Sequence, residues 1–411
     1  MRTAVAVRTA APLALAAVLC LQACSTHPAG NEPDPRPSAP VAPYLGNRAY
    51  AVPDSPFTRE NTVVTATCEL GARWAAVSVR AWDPRTWQQR AERTFGLPSD
   101  AAFSNVAGYK AVDSPLVELC GVDAYNPSPY GVATSEYMAP RIRALFDLGF
   151  THLAVVLRDP RDKKASHVGY VGSGADQEQA VRLGGEAGDD EQNAVMSPDG
   201  RSVWFTYTAP GGEQRIGSRS ADGDHHRRDE GPAAGHGLPL TVTGRPARAV
   251  QANAVHLAPN GRRLTATAPK VFGTVFDTWN SSGPLTRTSA HGATRLGGCL
   301  GVVGWTGDDR VLCRTSSGAF RTMDARSGRA VGAPVQVVGP EDGTVAEGML
   351  VSADGKSFIV SVQLPNARRN DGDYVYEDPD FRVVTITSAG ATTRPVPSSS
   401  LDRRTAFLSW S

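Results

Sequence analysis

One phrase returns along this chain at nearly even steps, and it limits the possible folds more than any other feature. Met196-Ser197-Pro198-Asp199-Gly200-Arg201 leads into a β-rich run at 202–207. Leu257-Ala258-Pro259-Asn260-Gly261-Arg262 leads into 263–266, and Val351-Ser352-Ala353-Asp354-Gly355-Lys356 into 357–360. Two looser copies stand at Trp305-Thr306-Gly307-Asp308-Asp309-Arg310 and Phe146-Asp147-Leu148-Gly149-Phe150. Each reads as a tight hairpin: Asp or Asn bonds its own backbone, and Gly enters the left-handed region without steric cost. The Asp or Asn positions 147, 199, 260, 308 and 354 lie 52, 61, 48 and 46 residues apart. Such a period, with about four strands per unit, predicts a β-propeller rather than a row of separate domains.

One unit reads in full. Its strands are 299–305, 310–315, 319–324 and 330–338, with the turn Asp324-Ala325-Arg326-Ser327-Gly328 after the third. That turn resembles the end of strand three in WD-type propellers, as does Trp82-Asp83-Pro84-Arg85-Thr86. Together with the Ser-Pro-Asp-Gly-Arg phrase, these turns make the body resemble the WD-like repeats of TolB-type β-propellers. The likeness is good over residues 140–411 and weak over 44–140. It implies a fold and is nearly silent on activity, because these propellers host binding, scaffolding and hydrolytic roles alike. The chain leaves no room for the α/β domain that precedes the propeller in TolB, so TolB's envelope partners do not carry over.

Residues 405–411 read as a first strand that stops where the next hairpin would begin, and 62–68, 74–81 and 88–95 read as three further strands. The two ends are therefore expected to share one blade, which leaves no sheet edge open. The expected fold is all-β: a propeller of four-stranded blades, counted as seven, with six or eight as the alternatives. After the shared blade they fall at about 100–140, 141–187, 190–245, 248–291, 294–340 and 344–400. Segment 135–147 is the best helical candidate in a chain whose 41 Gly and 30 Pro favour turns.

The first residues read as an address. Arg2 and Arg8 precede an apolar stretch at 9–21, too short to span roughly 30 Å of hydrocarbon as a helix. It ends in Leu21-Gln22-Ala23-Cys24, which resembles a bacterial lipobox, cut before the cysteine whose thiol is then lipidated. Residues 1–23 are thus expected to be a lipoprotein signal peptide and Cys24 the lipidation site. Residues 24–43, with six prolines, are the expected stalk, and 44–411 the propeller. Loss of 1–23 removes Arg2 and Arg8 and no acid, and takes the formal charge from +1 to −1. The balance of 42 Lys and Arg against 41 Asp and Glu argues against a nucleic-acid partner, which needs a concentrated basic surplus. The mature chain is expected as a monomer, held by its lipid on the outer face of the cell membrane.

Outside the leader and Cys24 there are four cysteines, Cys68, Cys120, Cys299 and Cys313. An oxidising compartment permits three pairings. Cys299–Cys313, within one hairpin, comes first and leaves Cys68–Cys120. With the turn at 306–309, Cys313 faces about Val302, so this pair needs a bulge; four buried free thiols are the alternative. The acidic stretch from Asn370 to Asp380, with Asp371, Asp373, Glu377 and Asp380, reads as an insertion between the second and third strands of its blade. In propellers that face commonly carries ligands, but the fixed ligand steps of an EF-hand are absent and a solvated loop is the simpler reading. His225 and His226 sit among arginines and read as a solvated loop. Trp82, Trp204, Trp305 and Trp410 recur at strand positions and read as blade packing.

No catalytic, metal or cofactor residue is assigned: Gly-x-Ser-x-Gly, His-Glu-x-x-His and Gly-x-Gly-x-x-Gly are all missing. The leading expectation is a binding or scaffold module for a protein, glycan or small molecule. The alternative is a hydrolase or lyase whose catalytic side chains are dispersed around the central funnel. Charged side chains converging at an open funnel mouth favour the enzyme. A large apolar patch on one face favours a scaffold.

Overall fold

The computed structural model describes residues 54–71, 74–103, 106–121, 138–174, 180–185, 189–233, 237–241, 249–252, 254–268, 271–277, 283–284, 293–338, 344–363, 365–370, 373–376, 380–397, 401 and 405–411. The leader, Cys24 and the stalk lie outside the described residues.

Strands β1 (Val63–Leu70), β2 (Ala75–Trp82) and β3 (Gln89–Leu97) form an antiparallel meander. Two short helices follow, α1 (Pro115–Cys120) and α2 (Met138–Arg143). The next sheet is β4 (His152–Arg158), β5 (Ser166–Gly172) and β6 (Val181–Arg182). Then come β7 (Glu191–Met196), β8 (Ser202–Thr208), β9 (Gln214–Ser220) and β10 (Arg228–Pro232). A small extra sheet is made by β11 (Leu238–Thr241) and β12 (Ala249–Ala252). The fourth blade holds β13 (Ala254–Leu257), β14 (Arg263–Ala268) and β15 (Val271–Asp277). From it β16 (Gly283–Pro284) returns to pair with β12 in parallel, and β17 (Thr294–Arg295) completes the blade. The fifth blade is β18 (Cys299–Gly307), β19 (Arg310–Thr315), β20 (Phe320–Asp324) and β21 (Ala330–Val335). The sixth begins with β22 (Val345–Val351) and β23 (Ser357–Gln363). After a hairpin, β24 (Pro365–Asn370) and β25 (Asp373–Tyr376), it ends with β26 (Asp380–Thr387) and β27 (Gly390–Pro395). Finally β28 (Ala406–Trp410) pairs antiparallel with β1, Val63 opposite Trp410. The two ends of the body do share one blade, in the order β28-β1-β2-β3.

The ring has six blades, not seven. The described residues of 100–140 form no blade; they carry α1 and the start of α2. Ser114 caps α1, accepting from Leu116 N–H at 3.2 Å, and Pro115 opens it, a pairing that starts helices and not strands. Blade 2 takes its first strand from the residues just after α2, reduced to the bridge Phe146–Leu153 and the bond from Ala154 N–H to the Leu145 carbonyl at 2.8 Å.

The repeated turns are built as their residues dictate. Ser197 Oγ accepts from Ser202 N–H at 2.9 Å and donates to Asp199 at 2.7 Å, while Gly200 stands at φ +72°. Ser352, Asp354 and Gly355 repeat the arrangement, with bonds of 2.9 and 2.6 Å and φ +70°. Asp147 accepts from Thr151 N–H at 2.6 Å and His152 N–H at 3.0 Å in the looser copy. Asp324 accepts from Arg326 and Ser327 N–H at 3.2 and 2.8 Å in the turn after the third strand.

Apolar cores lie between the blades. Val77 and Phe95 of blade 1 pack with Leu153 and Val155 of blade 2, and Val156 and Val168 with Phe205 of blade 3. Trp305 and Met323 pack with Val275, Phe320 with Phe358, and Phe381 with Phe407 and Trp410. Each fully buried large side chain contributes roughly 1.5–3 kcal/mol. Between blades 3 and 4, β11 lies against β7 and β8, with Leu238 buried.

Strand direction sorts the loops onto two faces. The Ser-Pro-Asp-Gly and Asp-x-x-Ser-Gly turns share one, the turn face. The second-to-third-strand loops and the blade-to-blade crossings share the other, the insertion face, which therefore carries α1, α2, β11–β12 and β24–β25.

Candidate functional site

Helix α2 fills the middle of the ring. It packs on β28, the innermost strand of blade 1, and on β13, the innermost strand of blade 4 on the opposite side. Ala139 and Ile142 are buried there, in company with Leu145, Leu116, Leu119 and Leu408. Arg141 reaches Glu118 on α1, its Nε 2.8 and 2.9 Å from the two carboxylate oxygens. Burial still pushes the Glu118 carboxyl up, and Arg141 offsets this only in part. Arg143 donates to the carbonyls of Phe146 and Asp147 and lies 4.4 Å over the Phe150 ring. The disulfide Cys68–Cys120, with Cα atoms 5.1 Å apart, ties the end of α1 to β1. The plug is thus held together by an ion pair between its two helices and fastened to the wall by a covalent bond and apolar packing.

Beside the plug, Asn193 of β7 takes φ +54° and donates to Asp113 and Thr206 at 3.4 and 3.2 Å. Between blades 2 and 3 runs a buried ionic network. Arg219 bonds Glu191 at 2.6 Å and Asp189 at 3.2 Å, and Arg227 bonds Asp189 at 2.8 Å. His167 Nε2 is 3.4 Å from Asp159, and its Nδ1 is 3.7 Å from Asp189, within ion-pair reach. Asp189, then Asp159 and Glu191, raise the His167 pKa against the opposing effect of burial. Burial likewise raises Glu191, against Arg219. Most of these pairs tie strands within blade 3, and the His167–Asp189 contact links blade 2 to blade 3, so the network's chemistry is cohesion. His256 is buried on β13, and burial lowers its pKa to about 4, which removes it as a proton carrier near neutrality. A cleft of about 290 Å³ opens at the seam of blades 6 and 1, lined in part by Glu60, Arg85, Asp354, Arg394 and Trp410.

The sequence-derived candidates fall in different places. Cys299 and Cys313 form the second disulfide, with Cα atoms 5.4 Å apart. Cys313 does pair with Val302, and the bulge the sequence demanded lies between Cys299 and Gly301. The acidic insertion is the β24–β25 hairpin between the second and third strands of blade 6. Asp371 and Glu377 lie outside the described residues, as does the side chain of Asp373. Asp380 opens β26 and pairs with Arg382 at 2.7 Å, an exposed contact within its own strand. His225 Nδ1 meets the Ser220 carbonyl at 2.9 Å, and His226 is exposed. Trp82, Trp204, Trp305 and Trp410 are all buried. The ionic network and the plug were not foreseen; Ser114-Pro115 was the available signal for the plug's first helix.

No family model matches the chain, and no curated protein matches it. Among solved structures it is similar to TolB from Acinetobacter baumannii, at 11% identity, TM-score 0.29, covering 85% of this chain and 83% of that one. A protein from Agrobacterium tumefaciens that carries the TolB name is 13% identical, with TM-score 0.30 and coverage of 61% and 78%. One from Bacteroides uniformis, named as a 6-phosphogluconolactonase, is 10% identical, with TM-score 0.35 and coverage of 85% and 100%. At such identities the likeness stops at the fold, and what the chain does has to be read from its own residues.

Proposed function

We propose that this chain is an extracytoplasmic lipoprotein, anchored through Cys24, whose six-bladed propeller is a binding or scaffold module. The observation that carries the module reading is the filled axis. A funnel enzyme brings substrate to side chains around an open channel, whereas here α2 occupies that space and is paired through Arg141 to α1, which Cys68–Cys120 ties to β1. The ring then acts as a rigid platform, and function moves to the loops on its insertion face. The lipobox residues Leu21, Ala23 and Cys24 support the anchor, and the two disulfides support an oxidising compartment.

Two measurements test this. In cell fractionation, wild-type protein is expected with the membranes and a Cys24→Ala chain is expected without acyl label; acyl label retained on the variant overturns the anchor. In envelope cross-linking, a discrete partner is expected from wild type. Turnover of a hydrolase or lyase substrate that vanishes in Glu118→Gln would overturn the module reading in favour of an enzyme.

A further inference from the structure

Four large apolar side chains are exposed among the described residues, and the topology places all four on the insertion face. Leu70 ends β1, Trp74 precedes β2, Val106 lies on the crossing from blade 1 to blade 2, and Leu300 is near the start of β18. Their exposures are 38%, 48%, 44% and 47%. Trp74 is held out deliberately by local structure. The Gly71 N–H donates to the Trp74 carbonyl at 2.8 Å. The indole rests on Gly71 so closely that any Cβ there would overlap the ring.

Basic groups share the same arc over blades 1 and 2. The 106–110 segment is joined to the β4–β5 turn by a bond from Lys110 N–H to the Lys163 carbonyl at 2.9 Å. Tyr109 on that segment has Lys163 Nζ 5.6 Å and Arg158 5.8 Å from its ring centre. Arg161, Lys163 and Lys164 are exposed, and none of them is in an ion pair among the described residues. Two acids of the turn cap its backbone, and a third pairs with a lysine. Asp159 accepts from Arg161 N–H at 2.7 Å, Asp162 from Lys164 N–H at 2.9 Å, and Asp190 holds Lys110 at 2.5 Å.

Indole and phenol rings settle at the headgroup level of a bilayer, and Lys and Arg are drawn to anionic headgroups. We propose that the insertion face over blades 1 and 2, with Trp74, Val106, Tyr109, Arg161, Lys163 and Lys164, docks on an anionic lipid surface. A surplus of positive charge, with Arg161, Lys163 and Lys164 against the carboxylates of Asp159 and Asp162, beside exposed aromatic and aliphatic groups is the complement of such a surface. The proposal does not rest on acylation of Cys24, because the contacts are made by side chains of the folded ring.

The test is lysine footprinting of the full chain on vesicles of phosphatidylcholine alone or with phosphatidylglycerol added. Lys356, exposed in a turn on the opposite face, is the internal control. Lys163 and Lys164 are expected to be acetylated several-fold more slowly on the anionic vesicles, with Lys356 unchanged. High salt abolishes the protection, as the screening length falls to ~3 Å at 1 M. Lys164→Ala weakens the protection of Lys163 roughly five-fold, and Trp74→Ala weakens it with no change in melting temperature. Equal labelling of Lys163 and Lys164 on the two vesicle types overturns the proposal, as does equal protection of Lys356. Protection in native envelopes that is missing on phosphatidylglycerol vesicles gives the face to a protein partner and overturns it as well.

Discussion

Burial makes His256 a measurable probe of the fold. Its pKa falls from the ordinary 6.5 to about 4 in the folded chain. The unfolded state therefore binds the proton first as pH drops, and stability declines between pH 6.5 and 4 by roughly 3 kcal/mol when the whole shift is counted. His167 works in the opposite sense. Its raised pKa gives a contribution that is full below the unfolded value and fades as pH rises through the folded one. Urea titrations at a series of pH values are expected to show His256→Leu with a flatter acid limb than wild type; an unchanged limb refutes the assignment. At this scale the turns were legible because everything they need is local: Ser197, Asp199 and Gly200 bond within six residues. The Arg219–Glu191 pair was not legible, because its partners sit 28 residues apart and only the twist of blade 3 brings them together.

Single elements separate what periodicity can see from what it cannot. Strand positions followed alternation, so the fifth blade was found nearly residue for residue. The helices were missed or left ambiguous because each has only 6 residues, less than two turns of apolar period. The disulfide pairing rested on one hairpin and on elimination, and its bulge could be inferred from register alone. The two bridges differ in what they hold. Cys68–Cys120 closes a stretch of 52 residues and secures α1, whereas Cys299–Cys313 closes 14 residues inside one hairpin. Loop entropy alone assigns them about 4 and about 3 kcal/mol. Thermal melts should show Cys68→Ser/Cys120→Ser losing more than Cys299→Ser/Cys313→Ser. The reverse order would mean that the plug does not depend on its tether.

For the whole molecule, blade sharing was readable and blade number was not. The closing strand announced itself as half a hairpin at 405–411, while the count of seven treated 100–140 as sheet because its length suited one blade. Length is a weak guide where a crossing between blades can grow, and here it grew into the plug. Deleting 405–411 removes the innermost strand of blade 1, with Phe407 and Trp410, and exposes the edge of β1. The truncated chain is expected to melt well below wild type and to be cut readily by protease; equal melting temperatures would show that the ring does not need this strand.

The pairing of Thr62 with Ser411 spans 349 residues. Blade 1 therefore waits, three strands wide, until almost everything downstream has been synthesised. Through that interval the waiting sheet keeps one edge unpaired, and an unpaired edge invites aggregation. A nascent product broken off a few residues early never reaches closure, and a protease can tell it from a finished one by its unmet edge alone.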